Sequence, residues 1–146
     1  MSARTTDGTA GGKGSPVGVV LVSHSGPVAE SVAKLAIGLA GSGDKVPVAA
    51  AGGTPDGGLG TSAELVTKAA RTVDRGAGVA VLVDLGSAVL TVKALIAEGD
   101  ELPEGARLVD APFVEGAVAA VVTAATGADL DAVAAAAEEA HGYRKE

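Results

Sequence analysis

The sequence predicts an open α/β fold, a three-layer sandwich whose central, mostly parallel sheet is covered by helices on both faces. Three observations carry this expectation. Short Val-rich runs alternate with longer Ala-rich segments at helical period, and Gly, Pro and Ser clusters separate them. The first run, Val17 to Val22, is almost continuously apolar, as in a strand buried on both sides. In sheets of this kind crossovers are right-handed and ligands sit at the carboxyl ends of the strands.

The elements follow in order. The first strand ends at Ser23-His24-Ser25-Gly26, and Pro27 suits the first position of a helix. Along that helix Val28, Val32, Leu35 and Leu39 recur on one face until Gly41 and Gly43 stop it. A second strand, Val46 to Ala51, runs into a Gly-rich loop ending at Gly60, after which Thr61 and Glu64 fit a capping box for a helix to about Arg75. Val79 to Val83 form a third strand closed by Asp84-Leu85-Gly86-Ser87, with Ser87 placed to cap a helix that carries Leu90, Leu95 and Ile96 and stops at Gly99. Arg107 to Ala111 read as a fourth strand, followed by a turn from Pro112 to Gly116 and an Ala/Val-rich helix to about Thr126. A last helix runs from near Asp129 to Gly142.

The chain has 146 residues, enough for one core and too few for two large domains. Residues 1–16, polar and Gly-rich with no apolar signal segment, read as a disordered leader, and 17–146 as a single domain. No stretch holds the eighteen or so apolar residues of a membrane span, so a cytoplasmic protein without membrane contact is expected. Eleven Lys and Arg against eighteen Asp and Glu give a net charge of −7, which argues against nucleic acid as a partner. One Phe, one Tyr and no Trp leave few aromatic surfaces for stacking bases or sugars.

The absence of Cys removes disulfides, thiolate metal sites and a thiol nucleophile, leaving His, Ser, Thr and carboxylates for chemistry. Two histidines far apart in sequence make no metal cluster, and no metal or cofactor is expected. Gly12-Lys13-Gly14 lacks the Ser or Thr and the preceding strand of a nucleotide-binding P-loop. Neither a dinucleotide fingerprint nor a G-x-S-x-G nucleophile elbow is present.

The loops at the strand ends supply the candidates. His24 follows the first strand beside a helix N-terminus, whose free N–H groups suit a phosphoryl group on the ring. Asp84, after the third strand, is placed to accept the Nδ1 proton, fix the tautomer and leave Nε2 as nucleophile. Each also has a plainer reading, His24 as a capping residue and Asp84 as a helix-start residue. The Gly-rich loop is either a surface turn or a backbone cradle for an anion, with Thr61 and Ser62 as capping hydroxyls. Glu115 is read as a rim residue, and His141 as an ordinary polar one.

Four segments together carry a family resemblance: Val22-Ser23-His24-Ser25, Gly58-Leu59-Gly60-Thr61-Ser62, Val83-Asp84-Leu85-Gly86-Ser87-Ala88, and Ala111 to Gly116 followed by Ala124 to Asp129. Over Val17 to about Ala140 the chain resembles the phosphotransfer subunit of phosphoenolpyruvate-dependent dihydroxyacetone kinase, similar in fold to mannose-family enzyme IIA domains of the sugar phosphotransferase system. The resemblance implies a phosphoryl carrier. His24 would accept phosphate from the histidine phosphocarrier protein and give it to ADP on the nucleotide-binding kinase subunit, which explains the missing nucleotide motif. It implies that Asp84 orients His24, that Ser25, Gly60, Thr61, Ser62, Gly86 and Ser87 bind the phosphoryl oxygens, and that the protein is a homodimer. The carrier-like and enzyme I-like domains of some relatives are not found in this chain.

Three alternatives remain at this level. A mannose-family enzyme IIA shares fold and histidine, but its relatives usually carry a Thr-His-Gly context where this chain has Ser23-His24-Ser25. A histidine phosphatase would normally place an Arg where Ser23 stands. A regulatory binding module would take up no covalent phosphate.

Overall fold

The computed structural model describes residues 15–41 and 45–146. The expected leader, apart from Ser15 and Pro16, and the stop expected at Gly43 therefore lie outside the described residues. The elements are β1 (Gly18–Ser23), α1 (Gly26–Leu39), β2 (Val48–Gly52), α2 (Ala63–Val73), β3 (Val79–Val83), α3 (Gly86–Glu98), β4 (Ala106–Leu108), α4 (Phe113–Ala125) and α5 (Leu130–Glu139), closed by a 3-10 turn at Ala140–Gly142. All four strands are parallel in the order β2-β1-β3-β4. The α/β sandwich expected from the sequence is the fold observed.

Alternation along the two central strands builds the layers. Val19 and Leu21 of β1, with Ala80 and Leu82 of β3, pack against Val32, Ala33 and Ala36 of α1, Ala117, Ala120 and Val121 of α4 and Val133 of α5. Val20, Val22, Val79 and Val81 point the other way, onto Val66, Ala70 and Val73 of α2 and Ala88, Val92 and Leu95 of α3. The chain moves one way from β1 to β2 and the opposite way from β2 to β3, so crossovers of one hand put α1 and α2 on opposite faces. All six residues of β1 are buried. Each buried Val or Leu contributes about 1.5–3 kcal/mol, which makes β1 a firm base for the residue that follows it.

Several boundaries and faces differ from the sequence reading. Pro47 has no N–H to donate, and its carbonyl accepts from Val19 N at 2.9 Å, so β2 starts after it rather than at Val46. In α1 the inward face is Ala29, Val32, Ala33 and Ala36, while Val28, Leu35 and Leu39 are exposed. In α3 Leu95 is buried as expected, but Leu90 and Ile96 face outward and Ala88 and Val92 take the inner positions. Small alanines let both helices lie close to the sheet. The fourth strand is only Ala106–Leu108, and Phe113 to Gly116, read as a turn, form the first turn of α4. Helix α2 ends at Val73, where Asp74 turns extended and accepts Gly76 N at 2.9 Å. Its cap is Ser62, whose Oγ accepts Leu65 N at 3.2 Å, so the box expected from Thr61 and Glu64 does not form.

Candidate functional site

Strands β1 and β3 are neighbours whose following helices leave on opposite sides of the sheet. This is the topological switch point, where the loops diverge and open a crevice at the carboxyl ends of the strands. His24 leaves β1 two positions beyond Val22 and Asp84 leaves β3 one position beyond its register partner Val83. The site exists because the strand order reverses at β1.

The His24 side chain is 26% exposed and that of Asp84 16%. His24 Nδ1 lies 3.0 Å from Asp84 Oδ1, and the Leu85 amide donates to the same oxygen at 2.7 Å. Asp84 Oδ2 accepts the His24 amide at 3.0 Å and the Ser23 hydroxyl at 2.8 Å. Burial pushes the Asp84 carboxyl up, but the bonds from the His24 amide, the Ser23 hydroxyl, the His24 ring and the Leu85 amide outweigh it and hold the group below its ordinary value. An ionised Asp84 keeps the ring proton on Nδ1, which leaves the Nε2 lone pair free. Nε2 meets Ser87 Oγ on its open side.

The other residues expected at the site occupy three loops. Ser25 is the N-cap of α1, its Oγ accepting Val28 N at 3.3 Å. Gly60, at φ 144°, donates its amide to the His24 carbonyl at 2.9 Å, and this ties the Gly-rich loop to the histidine. That amide is thus occupied by protein. Thr61 follows, paired with Gly53 in an isolated parallel bridge, and its buried Oγ1 has no protein partner. Ser62 caps α2 as described. Gly86 and Ser87 form the first turn of α3, where amides lack intrahelical acceptors. Ser87 does not cap α3: the N-cap position is Leu85, with no side-chain bond, because the Ser87 hydroxyl has turned to the imidazole.

Backbone packing sets these loops at fixed distance. A Cβ on Gly52 would meet the Ser25 carbonyl oxygen and come within 2.7 Å of Gly26 Cα, so the backbone at the end of β2 packs directly on the backbone at the start of α1. Leu59 is 82% exposed and Leu85 63% exposed, placing apolar side chains in the loops on either side of the crevice.

His141 is outside the cluster, bonded to the Asp110 carbonyl at 3.0 Å, and Glu115 pairs with Lys145. The sequence does not mark Ser23 as a site residue, yet it is 1% exposed and bonded to Asp84. The available signal was a hydroxyl on the inward face that Val19 and Leu21 line, where an apolar residue belongs. Among the described residues no three His, Asp or Glu side chains gather as a metal site needs. No described helix is long and apolar enough to cross a membrane.

This fold, with a carboxylate-paired histidine at its switch point, defines a class: the chain belongs to the family described as PTS system fructose IIA component, whose model matches residues 18–134. Within that class it is similar to phosphoryl donor subunits of dihydroxyacetone kinases, as the sequence motifs implied. It is 33% identical over 118 residues to the "PEP-dependent dihydroxyacetone kinase 2, phosphoryl donor subunit DhaM" of Listeria innocua, covering 80% of this chain and 93% of that protein. It is 40% identical over 119 residues to the "PEP-dependent dihydroxyacetone kinase, phosphoryl donor subunit DhaM" of Escherichia coli, covering 80% of this chain and 25% of that protein. The chain thus spans about a quarter of the length of the Escherichia coli relative. The crystal structure of the unknown-function protein EF1359 superposes with a TM-score of 0.77 at 30% identity, over 90% of this chain and 98% of that one.

Proposed function

We propose that this chain is the phosphoryl carrier subunit of a phosphoenolpyruvate-dependent dihydroxyacetone kinase, a phosphotransferase that works through phosphohistidine at His24. The observation that carries the reading is the bond from His24 Nδ1 to Asp84 Oδ1, which fixes the tautomer and leaves Nε2 at the open side of the crevice. The similarity to DhaM subunits supports the choice of pathway.

In the first step the Nε2 lone pair attacks the phosphorus of the phosphohistidine on the histidine phosphocarrier protein. The new N–P bond forms as the donor N–P bond breaks, and that electron pair returns to the donor ring. In the second step a β-phosphate oxygen of ADP, held on the nucleotide-binding kinase subunit, attacks in line and Nε2 leaves. Asp84 stabilises the positive charge that develops on the ring during uptake. Ser87 turns its hydroxyl from Nε2 to a phosphoryl oxygen, with the first-turn amides of α3 beside it. Ser25, Thr61 and Ser62 line the adjoining loops, while Gly60 acts through its bond to the His24 carbonyl. The homodimer belongs to the same proposal, and exposed Leu35 and Leu39 of α1 and Val122 of α4 are apolar side chains available to it.

The test is intact mass at neutral pH after incubation with phosphoenolpyruvate, enzyme I and the phosphocarrier, repeated after adding the ADP-loaded kinase subunit. One acid-labile phosphoryl group that needs His24 and disappears on the second addition is the expected result. Gain without loss points to a sugar permease route, and no gain refutes the carrier reading.

A further inference from the structure

We infer that Ser23 is a positioning residue for the site: its buried hydroxyl steadies the Asp84 carboxylate in the geometry that favours the His24 proton on Nδ1. The inference rests on the reading of His24 as the phosphoryl acceptor and deepens it.

A carboxylate has about four lone-pair directions, and Asp84 receives four donors, two on each oxygen. Oδ1 takes the His24 ring at 3.0 Å and the Leu85 amide at 2.7 Å; Oδ2 takes the His24 amide at 3.0 Å and the Ser23 hydroxyl at 2.8 Å. Of these, Ser23 is the only side-chain donor besides the histidine itself. Its hydroxyl also accepts the Ser25 amide at 3.1 Å, so its own proton is directed at Asp84. One oxygen thereby links the residues on both sides of His24 to the carboxylate that holds the ring.

The position makes this specific. Ser23 ends the fully buried strand β1 and lies on the face lined by Val19 and Leu21, where packing alone favours an aliphatic side chain. A buried hydroxyl there is tolerated because both its donor and its acceptor capacity are used. Without it Oδ2 keeps only the His24 amide and Oδ1 the Leu85 amide and the ring, so the carboxylate is held less tightly about its terminal torsion. The bond between Asp84 and the ring then loses its fixed geometry, and the preference for the Nδ1–H form weakens.

The experiment uses the full chain with ¹⁵N-labelled histidine. The tautomer of His24 is read from its ring nitrogen shifts at a pH where the ring is neutral, in wild type, Ser23→Ala, Ser23→Thr and Ser23→Cys. Phosphate uptake rates are measured in parallel. In Ser23→Ala the shifts should move toward the Nε2–H form and uptake should slow on the order of 10-fold, the scale on which outer partners of functional histidines are felt. Ser23→Thr, which keeps the donor, should retain the wild-type shifts. Ser23→Cys, similar in volume but a weak donor, should follow Ser23→Ala and serves in its place if the alanine variant does not fold. Wild-type shifts and rate in a folded Ser23→Ala or Ser23→Cys variant would overturn the inference. Failure of the wild type to take up phosphate would instead count against the carrier reading, while the tautomer shifts still decide the role of Ser23.

Discussion

Replacing Asp84 by Asn removes one charge and reverses the polarity of half a side chain that receives four donors. Asn keeps one acceptor oxygen and puts an NH₂ where the other oxygen was. With the NH₂ at the Oδ1 position, the Leu85 amide faces a donor and His24 must offer its Nδ1 lone pair, so the proton moves to Nε2 and the nucleophile is lost. With the NH₂ at the Oδ2 position, the His24 amide is the orphan and the tautomer survives. Both orientations lose the charge that stabilises the ring as it becomes positive. The expected loss is about 10²- to 10⁴-fold in the rate of phosphate uptake. One orphaned amide costs about 1–3 kcal/mol of stability, too little to unfold a typical domain. Rapid-quench measurement of uptake from the phosphorylated carrier, beside urea unfolding, checks both numbers. An Asn variant within threefold of the wild-type rate would refute the reasoning and reduce Asp84 to a loop-closing residue.

His24→Ala should abolish phosphate uptake while His141→Ala leaves it intact, and equal uptake by the two variants in the mass measurement would sink the assignment. The Asp84 carboxyl is held below its unfolded value near 3.8, so its stabilisation is fully present above that value and is lost as pH falls through the folded one. Wild-type stability should therefore fall more steeply than that of Asp84→Asn below about pH 4, and parallel curves in acid unfolding exclude this linkage. Gly52→Ala should force the start of α1 away from β2, costing about 1–3 kcal/mol and slowing uptake through displaced Ser25 and His24; unchanged stability and rate would show that the contact relaxes freely.

The layer architecture was legible because strand and helix periods differ and because a nearly continuous apolar run reads as a strand covered on both faces. The pairing of His24 with Asp84 was legible for a related reason: both residues close Val-rich strands, and parallel sheets gather such ends. Helix faces were less so. In α1 every candidate face contains Ala or Val, and alanine gives no sign of whether it packs or faces water, so the larger Leu35 and Leu39 drew the inward assignment although they lie outside. The caps were misplaced by one or two residues because Thr61, Ser62 and Ser87 all have capping chemistry. Only the tertiary position of the imidazole decides that Ser87 serves it instead of α3. The role of Ser23 is not legible in the sequence, where a single Ser at a strand end looks like the start of a turn.

On the proposed carrier reading, a chain of net charge −7 that takes up a phosphoryl group has to offset negative charge locally. Helices α1, α2 and α5 have side-chain caps in Ser25, Ser62 and Asp129, whereas α4 and α3, the latter with its first turn touching Nε2, have none. Omitting such a cap costs about 0.5–2 kcal/mol, and it leaves the positive end of the α3 dipole facing Nε2, where the proposed mechanism would bring phosphoryl oxygens.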